Sequence, residues 1–141
     1  MTNAVFYCSL KVVLKNSGGQ ILALEAQTIG DLSGFYDLPG GRIDEGEISL
    51  PFEPLLDREI KEEVGAIQYT IDPRPIFSTT WTLPSYLHPF VYVYYEGQYK
   101  SGDIKISDEH MSYKWVNLNK EELQKHFTKW HYKTLSEYYQ I

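Results

Sequence analysis

Three glutamates near the middle of the chain are spaced as ligands of a metal ion would be. Glu59, Glu62 and Glu63 stand at positions i, i+3 and i+4, which on an α-helix places all three side chains on one face. Like charges at this spacing repel each other, and a bound divalent cation with oxygen ligands would compensate for the repulsion. The spacing therefore indicates a site for a hard metal ion. A solvated acidic helix face is the alternative.

The residues on either side of the glutamates favour the metal site. A turn formed by Leu38-Pro39-Gly40-Gly41 precedes them in the chain, Arg58 is directly adjacent, and Gly65 follows. Glycine tolerates backbone conformations with positive φ, so the pair of glycines predicts at least a turn. In the functional interpretation, the bare backbone also lets a carbonyl, that of Gly40, point at the metal.

The segment from Gly40 to Ala66 resembles the Nudix box, whose pattern is G-x5-E-x7-R-E-U-x-E-E-x-G-U, where U is a bulky aliphatic residue. Gly41 and Glu47 match its first half, residues 58–65 match its second half, and Ala66 is a small substitute for the last U. The two halves match, but the connection between them differs from the pattern.

That connection is three residues longer than in the pattern, because residues 48–57 separate Glu47 from Arg58. Pro51 and Pro54 suit a loop and a first helical turn, where no backbone N–H is needed. The insertion is therefore expected to lengthen the loop before the helix and to affect the position of Glu47.

The resemblance implies a role for each of these residues. Glu59, Glu62 and Glu63 would bind one or more Mg²⁺ or Mn²⁺ ions, and the Gly40 carbonyl would be a further ligand. Glu109, just before a strand, stands where many family members have a distant acidic residue that completes the metal set or acts as base. Either Glu59 or Glu109 would be the general base.

Supporting roles are implied for Arg58 and Glu47. The arginine would tie the helix to the preceding loop through a carboxylate such as that of Glu47, although a surface pair with Glu62 at i+4 is an alternative. Asp108 is the nearest competitor of Glu109.

The function implied is metal-dependent hydrolysis of the diphosphate linkage in a nucleoside diphosphate joined to another group. A nucleoside triphosphate, a nucleotide sugar and a capped nucleotide all remain open, because the signatures that divide the family by substrate do not appear cleanly. The alternative is an inactive Nudix-like module that binds nucleotide or metal, with the longer connection having removed catalysis.

Aromatic residues are candidates for contacts with the substrate. Phe35, Tyr36, Trp81 and Tyr86 lie in segments that could border the cleft, so one or two of them could stack on a nucleobase. Each could equally be a core residue, since aromatic side chains contribute much of the buried area of a protein.

The elements that must position these residues can be predicted from hydrophobic patterns. Residues 52–64 predict an amphipathic helix, in which Leu56, Ile60 and Val64 form an apolar stripe beside the acidic one. The sequence Asn16-Ser17-Gly18-Gly19 predicts a hairpin turn. Runs rich in β-branched and aromatic residues predict strands at residues 5–14, 20–25, 35–38, 67–71, 76–82, 90–95 and 113–116.

Two further helices are predicted near the end of the chain. Asn117 or Asn119 could cap a helix that begins near Lys120, and residues 129–139 show a second helical pattern. Strands around a central helix, with helices closing the end, predict an α/β fold of the α/β/α sandwich type. The resemblance implies the Nudix version, with a mixed sheet.

Composition limits the class of protein. A chain of 141 residues with 43% apolar and 23% charged residues is expected to form one globular domain, residues 1–141. The net charge of −6 disfavours DNA or RNA as a partner, and no stretch could span a bilayer. We therefore expect a cytoplasmic protein that acts on a small nucleotide, as a monomer or a homodimer.

Overall fold

A mixed sheet of eight strands forms the centre of the computed structural model, which describes residues 1–141. The strands are β1 (Tyr7–Lys15), β2 (Ile21–Ala26), β3 (Tyr36–Asp37), β4 (Gly40–Arg42), β5 (Gln68–Ile71), β6 (Phe77–Trp81), β7 (Phe90–Ser101) and β8 (His110–Val116). The helices are α1 (Phe52–Val64), α2 (Lys120–His126) and α3 (Lys129–Tyr139), and a 3₁₀-helix spans Glu45–Glu47. The predicted α/β fold with a mixed sheet is confirmed.

Strand β1 is the axis of the sheet. It pairs in parallel with β7 over its whole length, from Tyr7 opposite Phe90 to Lys15 opposite Gln98. On its other side it pairs antiparallel with β2 and β4. Every other strand reaches the sheet through one of these partners, so β1 fixes the frame on which the site is built.

The two faces of the sheet carry separate hydrophobic cores. Leu10, Val12 and Leu14 of β1 pack in the core that includes Leu56 and Ile60 of α1. Val13, on the opposite face because side chains alternate along a strand, belongs to the core that includes residues of α2 and α3. The sheet is therefore covered by helices on both sides, which makes the fold an α/β/α sandwich.

Helix α1 has the bounds that its sequence pattern predicts. It begins after Pro51 and contains Pro54 in its first turn, where a missing N–H costs no hydrogen bond. It ends at Gly65, whose φ is 95° and whose N–H donates to the carbonyl of Lys61. The apolar stripe on this helix is fully buried, since Ile60 and Val64 have 0% exposure. Of the ten residues between Glu47 and Arg58, residues 48–51 lie before the helix and residues 52–57 lie within it.

The predicted hairpin turn is also confirmed. Antiparallel pairing between β1 and β2 starts at Lys15 and Ile21. The Asn16 side-chain oxygen accepts hydrogen bonds from the backbone N–H groups of Gly18 and Gln20, at 3.0 and 2.9 Å. An asparagine side chain that satisfies turn amides in this way stabilises a tight connection.

Strand β7 is longer than predicted. The prediction covers residues 90–95, whereas the strand continues to Ser101. Its second half is held by pairing with β5, from Ile71 opposite Gly97 to Gln68 opposite Ser101. Gly97 allows this close approach, because a Cβ there would lie 2.9 Å from the carbonyl of Thr70.

None of the helices has the length and apolar character needed to cross a bilayer.

A substitution at Gly40 tests the close contact between β4 and β1. A Cβ at this position would lie 1.9 Å from the Leu10 carbonyl, and φ is +143°, so Gly40→Ala should destabilise the protein by roughly 3 kcal/mol or more. Gly46→Ala is the matched control, since a Cβ there meets nothing within 4 Å, and it should change the stability by about 0.5 kcal/mol or less. Urea unfolding measures both. Equal stabilities for the two variants would contradict the packing described.

Candidate active site

The glycine turn holds the last turn of α1 through a buried hydrogen bond. The N–H of Gly40 donates to Oε1 of Glu63 at 2.8 Å, and Glu63 is only 4% exposed. Gly41 lies against the carboxyl of Glu59, since a Cβ on this glycine would be 2.7 Å from the carboxyl carbon. The two glycines therefore make room for two of the predicted ligands. The observed contact of Gly40 is through its N–H.

Arg58 contacts three carboxylates. Its Nη1 donates to Glu47, its Nη2 donates to Oε1 of Glu59 at 3.1 Å, and its Nε lies 3.7 Å from Oε1 of Glu62. Both interpretations of this arginine, a tie to the preceding loop and an i+4 pair, therefore apply in the structure.

Glu47 is fixed from two sides. In addition to the contact with Arg58, its Oε1 accepts a hydrogen bond from the N–H of Asp44 at 3.0 Å. The hydrogen bond from Arg58 lowers the pKa of the Glu47 carboxyl, and the bond from Asp44 adds to this effect. Because the 3₁₀-helix at Glu45–Glu47 holds the residue in place, the longer connection leaves the contact between Glu47 and Arg58 intact.

Glu109 lies beside Glu63 together with a histidine that the sequence analysis did not select. Ligand atoms of Glu63, Glu109 and His110 lie within 4.8 Å of one another, and His110 Nε2 is 3.8 Å from Oε2 of Glu63. Asp108, the competitor of Glu109, is not part of this group, and Glu62 has a side chain that is 61% exposed. The structure thus brings Glu109 to Glu63 and leaves Glu62 on the outer side of the helix.

Burial governs the electrostatics of the Glu63 carboxyl. Burial raises its pKa to about 8, although Lys11 and the Gly40 N–H oppose the shift. Burial also raises the pKa of Glu59. A divalent ion bound at these oxygens would displace the proton and favour the charged form of the carboxyl. Carboxylate oxygens are the ligands that hard divalent ions prefer, and the imidazole of His110 adds one nitrogen donor to the group.

A cavity of about 330 Å³ extends from these carboxylates across the face of the sheet that α3 covers. Its lining includes Ser9 and Lys11 of β1, Asp37 of β3 and His131 of α3, while Glu63 and Glu109 lie at its edge. A volume of this size is at the lower end of the range for small-molecule sites. The arrangement can therefore bind one part of a ligand at the carboxylates and another part within the cavity.

One of the four aromatic candidates lines this cavity. Tyr86 does so, and the guanidinium of Arg42 lies 5.2 Å from the centre of its ring. Trp81 instead packs against Trp130 at 5.6 Å between ring centres. Tyr36 packs edge-on against a histidine of α2 at 5.5 Å.

The fourth candidate, Phe35, is 38% exposed and is not part of the cavity lining. The structure therefore does not bring Phe35, Tyr36 or Trp81 to the cavity. Both Trp81 and Tyr36 pack against the core on the α3 side, which agrees with the alternative of a core role.

Sequence reasoning did not select Lys11, Asp37 or His131. These three residues form a hydrogen-bonded set in which Lys11 Nζ and His131 Nε2 each lie 2.8 Å from a carboxylate oxygen of Asp37. A lysine within an apolar strand was the available signal, because lysine is almost never fully buried unless it is paired.

The fold and the carboxylate site together define a class, an α/β/α sandwich whose acidic helix meets a glycine turn at the edge of a ligand-sized cavity. The family model described as the NUDIX domain matches residues 9–138. The chain therefore belongs to the NUDIX family. No curated protein matches the sequence.

Solved structures from several organisms share the fold. The MutT protein of Methanosarcina mazei Go1 is 23% identical, with coverage of 99% of this chain and 97% of that one and a TM-score of 0.77. The NUDIX domain of Shewanella oneidensis NrtR, complexed with ADP ribose, is 19% identical over 98% and 88% of the two chains, with a TM-score of 0.74. A C. elegans Ap4A hydrolase is 20% identical over 95% of each chain, with a TM-score of 0.74.

The raised pKa of Glu63 predicts a pH dependence of stability. Between the ordinary carboxyl pKa of 4.5 and about 8, the folded protein binds a proton at Glu63 that the unfolded chain has lost. The stabilisation due to this proton should therefore decrease as pH rises, by at most about 1.4 kcal/mol per pH unit.

Urea unfolding with a chelator, at several values between about pH 5 and pH 8, measures this effect. As pH rises, the unfolding free energy of the wild type should decrease steadily relative to that of Glu63→Gln. A difference that does not depend on pH would contradict the protonation of Glu63 in the folded state.

Proposed function

We propose that this protein is a metal-dependent hydrolase of the phosphoanhydride bond in a nucleoside diphosphate linked to another group. The observation that carries the proposal is the buried pair formed by Gly40 and Glu63, which places a desolvated carboxylate beside Glu109 at the edge of a cavity. Membership of the NUDIX family supports the same conclusion.

The carboxylates would bind the ion and the substrate's diphosphate would lie at this edge. Glu59, Glu63 and Glu109 are the candidates for direct ligands, with Glu62 on the outer side of the helix and His110 as a nitrogen donor. A divalent ion bound here supplies charge neutralisation for the diphosphate, which a protein of net charge −6 would otherwise repel.

Hydrolysis needs a proton acceptor close to the attacking water. As the water oxygen forms a bond to phosphorus, the anhydride P–O bond breaks and a carboxylate takes the water proton. Glu59 and Glu109 are both candidates for this base. Glu59 is held in position by the Nη2 of Arg58, whereas Glu109 belongs to the group around Glu63.

Arg58 and Glu47 would act as positioning residues. The arginine joins the acidic face of α1 to the 3₁₀-helix before it, so the carboxyl of Glu59 has a fixed orientation even though the connection is longer than in the family pattern. Fixed catalytic geometry contributes to the rate because the reacting groups need no rearrangement.

The cavity and the structural neighbours both support the proposed substrate class. The cavity adjoins the carboxylates, which suits a molecule with a diphosphate at one end and a further group beside it. The neighbours include an Ap4A hydrolase and a NUDIX domain complexed with ADP ribose. Both named ligands contain a nucleoside joined to a diphosphate or polyphosphate.

A second candidate function is binding of a nucleotide without hydrolysis. The longer connection before α1 is the feature that favours it, because the family pattern has a shorter one. The intact contact between Arg58 and Glu47 speaks against a loss of catalytic geometry, so we place this candidate second.

Replacement of Glu63 tests the proposed activity. Glu63→Gln can still accept the hydrogen bond from Gly40 through its amide oxygen, so the fold should remain, whereas turnover should fall about 10²-fold or more. Glu53→Gln is the matched control, since Glu53 is exposed in the first turn of the same helix, and its turnover should stay at the wild-type level.

The measurement is phosphatase-coupled phosphate release from nucleoside triphosphates, ADP-ribose, nucleotide sugars, NADH and dinucleoside polyphosphates, with Mg²⁺ or Mn²⁺ and with chelator. Turnover in one class that requires the metal and is lost in Glu63→Gln would support the enzyme. No turnover of any compound, with metal-dependent nucleotide binding retained, would favour the binding module instead.

A further inference from the structure

A lysine side chain is buried in the floor of the cavity. Lys11 lies in the central strand β1, and its side chain is 8% exposed. Its Nζ donates to Oδ2 of Asp37 at 2.8 Å and to the backbone carbonyl of Leu38 at 3.4 Å. An ammonium group has three N–H donors, so one donor of Lys11 has no partner within the protein. Because Lys11 lines the cavity, that donor is available to a ligand.

The carboxylate of Asp37 has most of its acceptor capacity in use. Its Oδ1 accepts from the N–H of Leu38 and from Nε2 of His131, both at 2.8 Å, and its Oδ2 accepts from Lys11. An ionised carboxylate has about four acceptor positions, so at most one remains for a ligand. A ligand group that donates hydrogen bonds therefore finds at most one free acceptor position on Asp37.

His131 is fixed as part of the same set and adds no free acceptor. Because Nε2 donates to Asp37, the neutral ring accepts at Nδ1, and that nitrogen lies 2.7 Å from the hydroxyl of Tyr94. Burial lowers the pKa of His131, which agrees with a neutral ring. Both of its nitrogens are engaged.

Two hydroxyl groups add to the donor character of the floor. Ser9 and Tyr92 lie opposite each other in the parallel pair of β1 and β7, and both line the cavity with Lys11. Hydroxyl groups can donate to the same oxygen that a neighbouring ammonium binds. The floor thus presents a cation and two hydroxyls, with a largely saturated carboxylate behind them.

We propose that Lys11 is a specificity-determining residue that donates a hydrogen bond to a carbonyl oxygen of the substrate's base. The inference rests on the proposed function, because a diphosphate at the Glu63 edge leaves the remainder of the nucleotide in the cavity. The protein should therefore prefer bases with an oxo group to bases with an amino group at the same position. A site built to bond one polar group rejects an analogue that leaves the site's own group unpaired.

Matched pairs of nucleotides test the preference without need of turnover. The α,β-methylene analogues of UDP and CDP differ at position 4 of the base, where one carries an oxo and the other an amino group, and the analogues of IDP and ADP differ in the same way at position 6. In calorimetry with Mg²⁺, the pair that binds more tightly should show a preference of about tenfold or more for its oxo member. The reason is that the amino member leaves the charged donor of Lys11 unpaired.

The double variant Lys11→Met/Asp37→Asn should remove the preference, so that the two members of a pair bind within about twofold of each other. Both residues are replaced together because the single change would leave the Asp37 carboxylate buried without its cation. Lys15→Met is the matched control. Lys15 lies on the same strand but pairs with Glu96 at 2.5 Å outside the cavity, so this variant should keep the wild-type ratio.

A measurement on the wild type keeps the inference testable if the double variant does not fold. In a ¹⁵N spectrum of the lysine ammonium groups, the Lys11 signal should shift on addition of the oxo analogue and stay in place with the amino analogue at the same occupancy. Lys11→Arg assigns that signal by its disappearance.

Equal affinities in the wild type, tighter binding of the amino member, a ratio that survives in the double variant, or no binding of any analogue would each overturn the inference. Hydrolysis of UTP and CTP, measured separately, distinguishes this result from a failure of the proposed function. Oxo-selective binding without hydrolysis would leave the inference intact and overturn the enzyme, whereas hydrolysis with equal affinities would do the reverse.

Discussion

The hydrogen bond from the Gly40 N–H to Glu63 is the contact on which the site depends. It joins the strand β4 to the last turn of α1, and it is possible only because Gly40 has no Cβ to meet the carbonyl of Leu10. A backbone donor satisfies one oxygen of a carboxylate that burial would otherwise leave without a partner. The same contact keeps Glu63 desolvated. The second carboxylate oxygen of Glu63 faces Glu109 and His110.

Helix α1 has an apolar side and an acidic side that face different parts of the structure. Leu56 and Ile60 pack into the core on one face of the sheet. Glu63 lines a cavity on the other face, and the carboxyl of Glu59 lies against Gly41, which also lines it. The glycine turn makes this possible, because it brings β4 close enough to the helix for carboxylates to reach past the sheet edge. The stability of the helix therefore comes from its apolar stripe, and the acidic residues carry an electrostatic cost that a cation would offset.

The parts of the structure that the sequence predicted are those with local signals. The bounds of α1 and the turn after β1 follow from periodicity and turn residues, whereas the contact of Arg58 with Glu47 was implied by the resemblance to the Nudix box. The floor of the cavity has no such signal. Asp37 is 26 residues from Lys11 and 94 from His131, and no local pattern indicates which strands and helices meet on one face. The second half of β7 was missed for a similar reason, since pairing with β5 rather than propensity makes it a strand.

The parallel pairing of β1 with β7 also governs the order in which the cavity can form. Its floor combines Lys11 near the start of the chain with Tyr92 in β7, and His131 of α3 completes it. Contacts between residues so far apart in sequence form late, because a large loop must close before they contribute. During synthesis the helix with its glutamates can form early, but the ammonium of Lys11 acquires all its neighbours only after α3 has left the ribosome. The part of the acidic edge that lies on α1 is therefore synthesised before the pocket beside it, whereas Glu109 follows β7 in the chain.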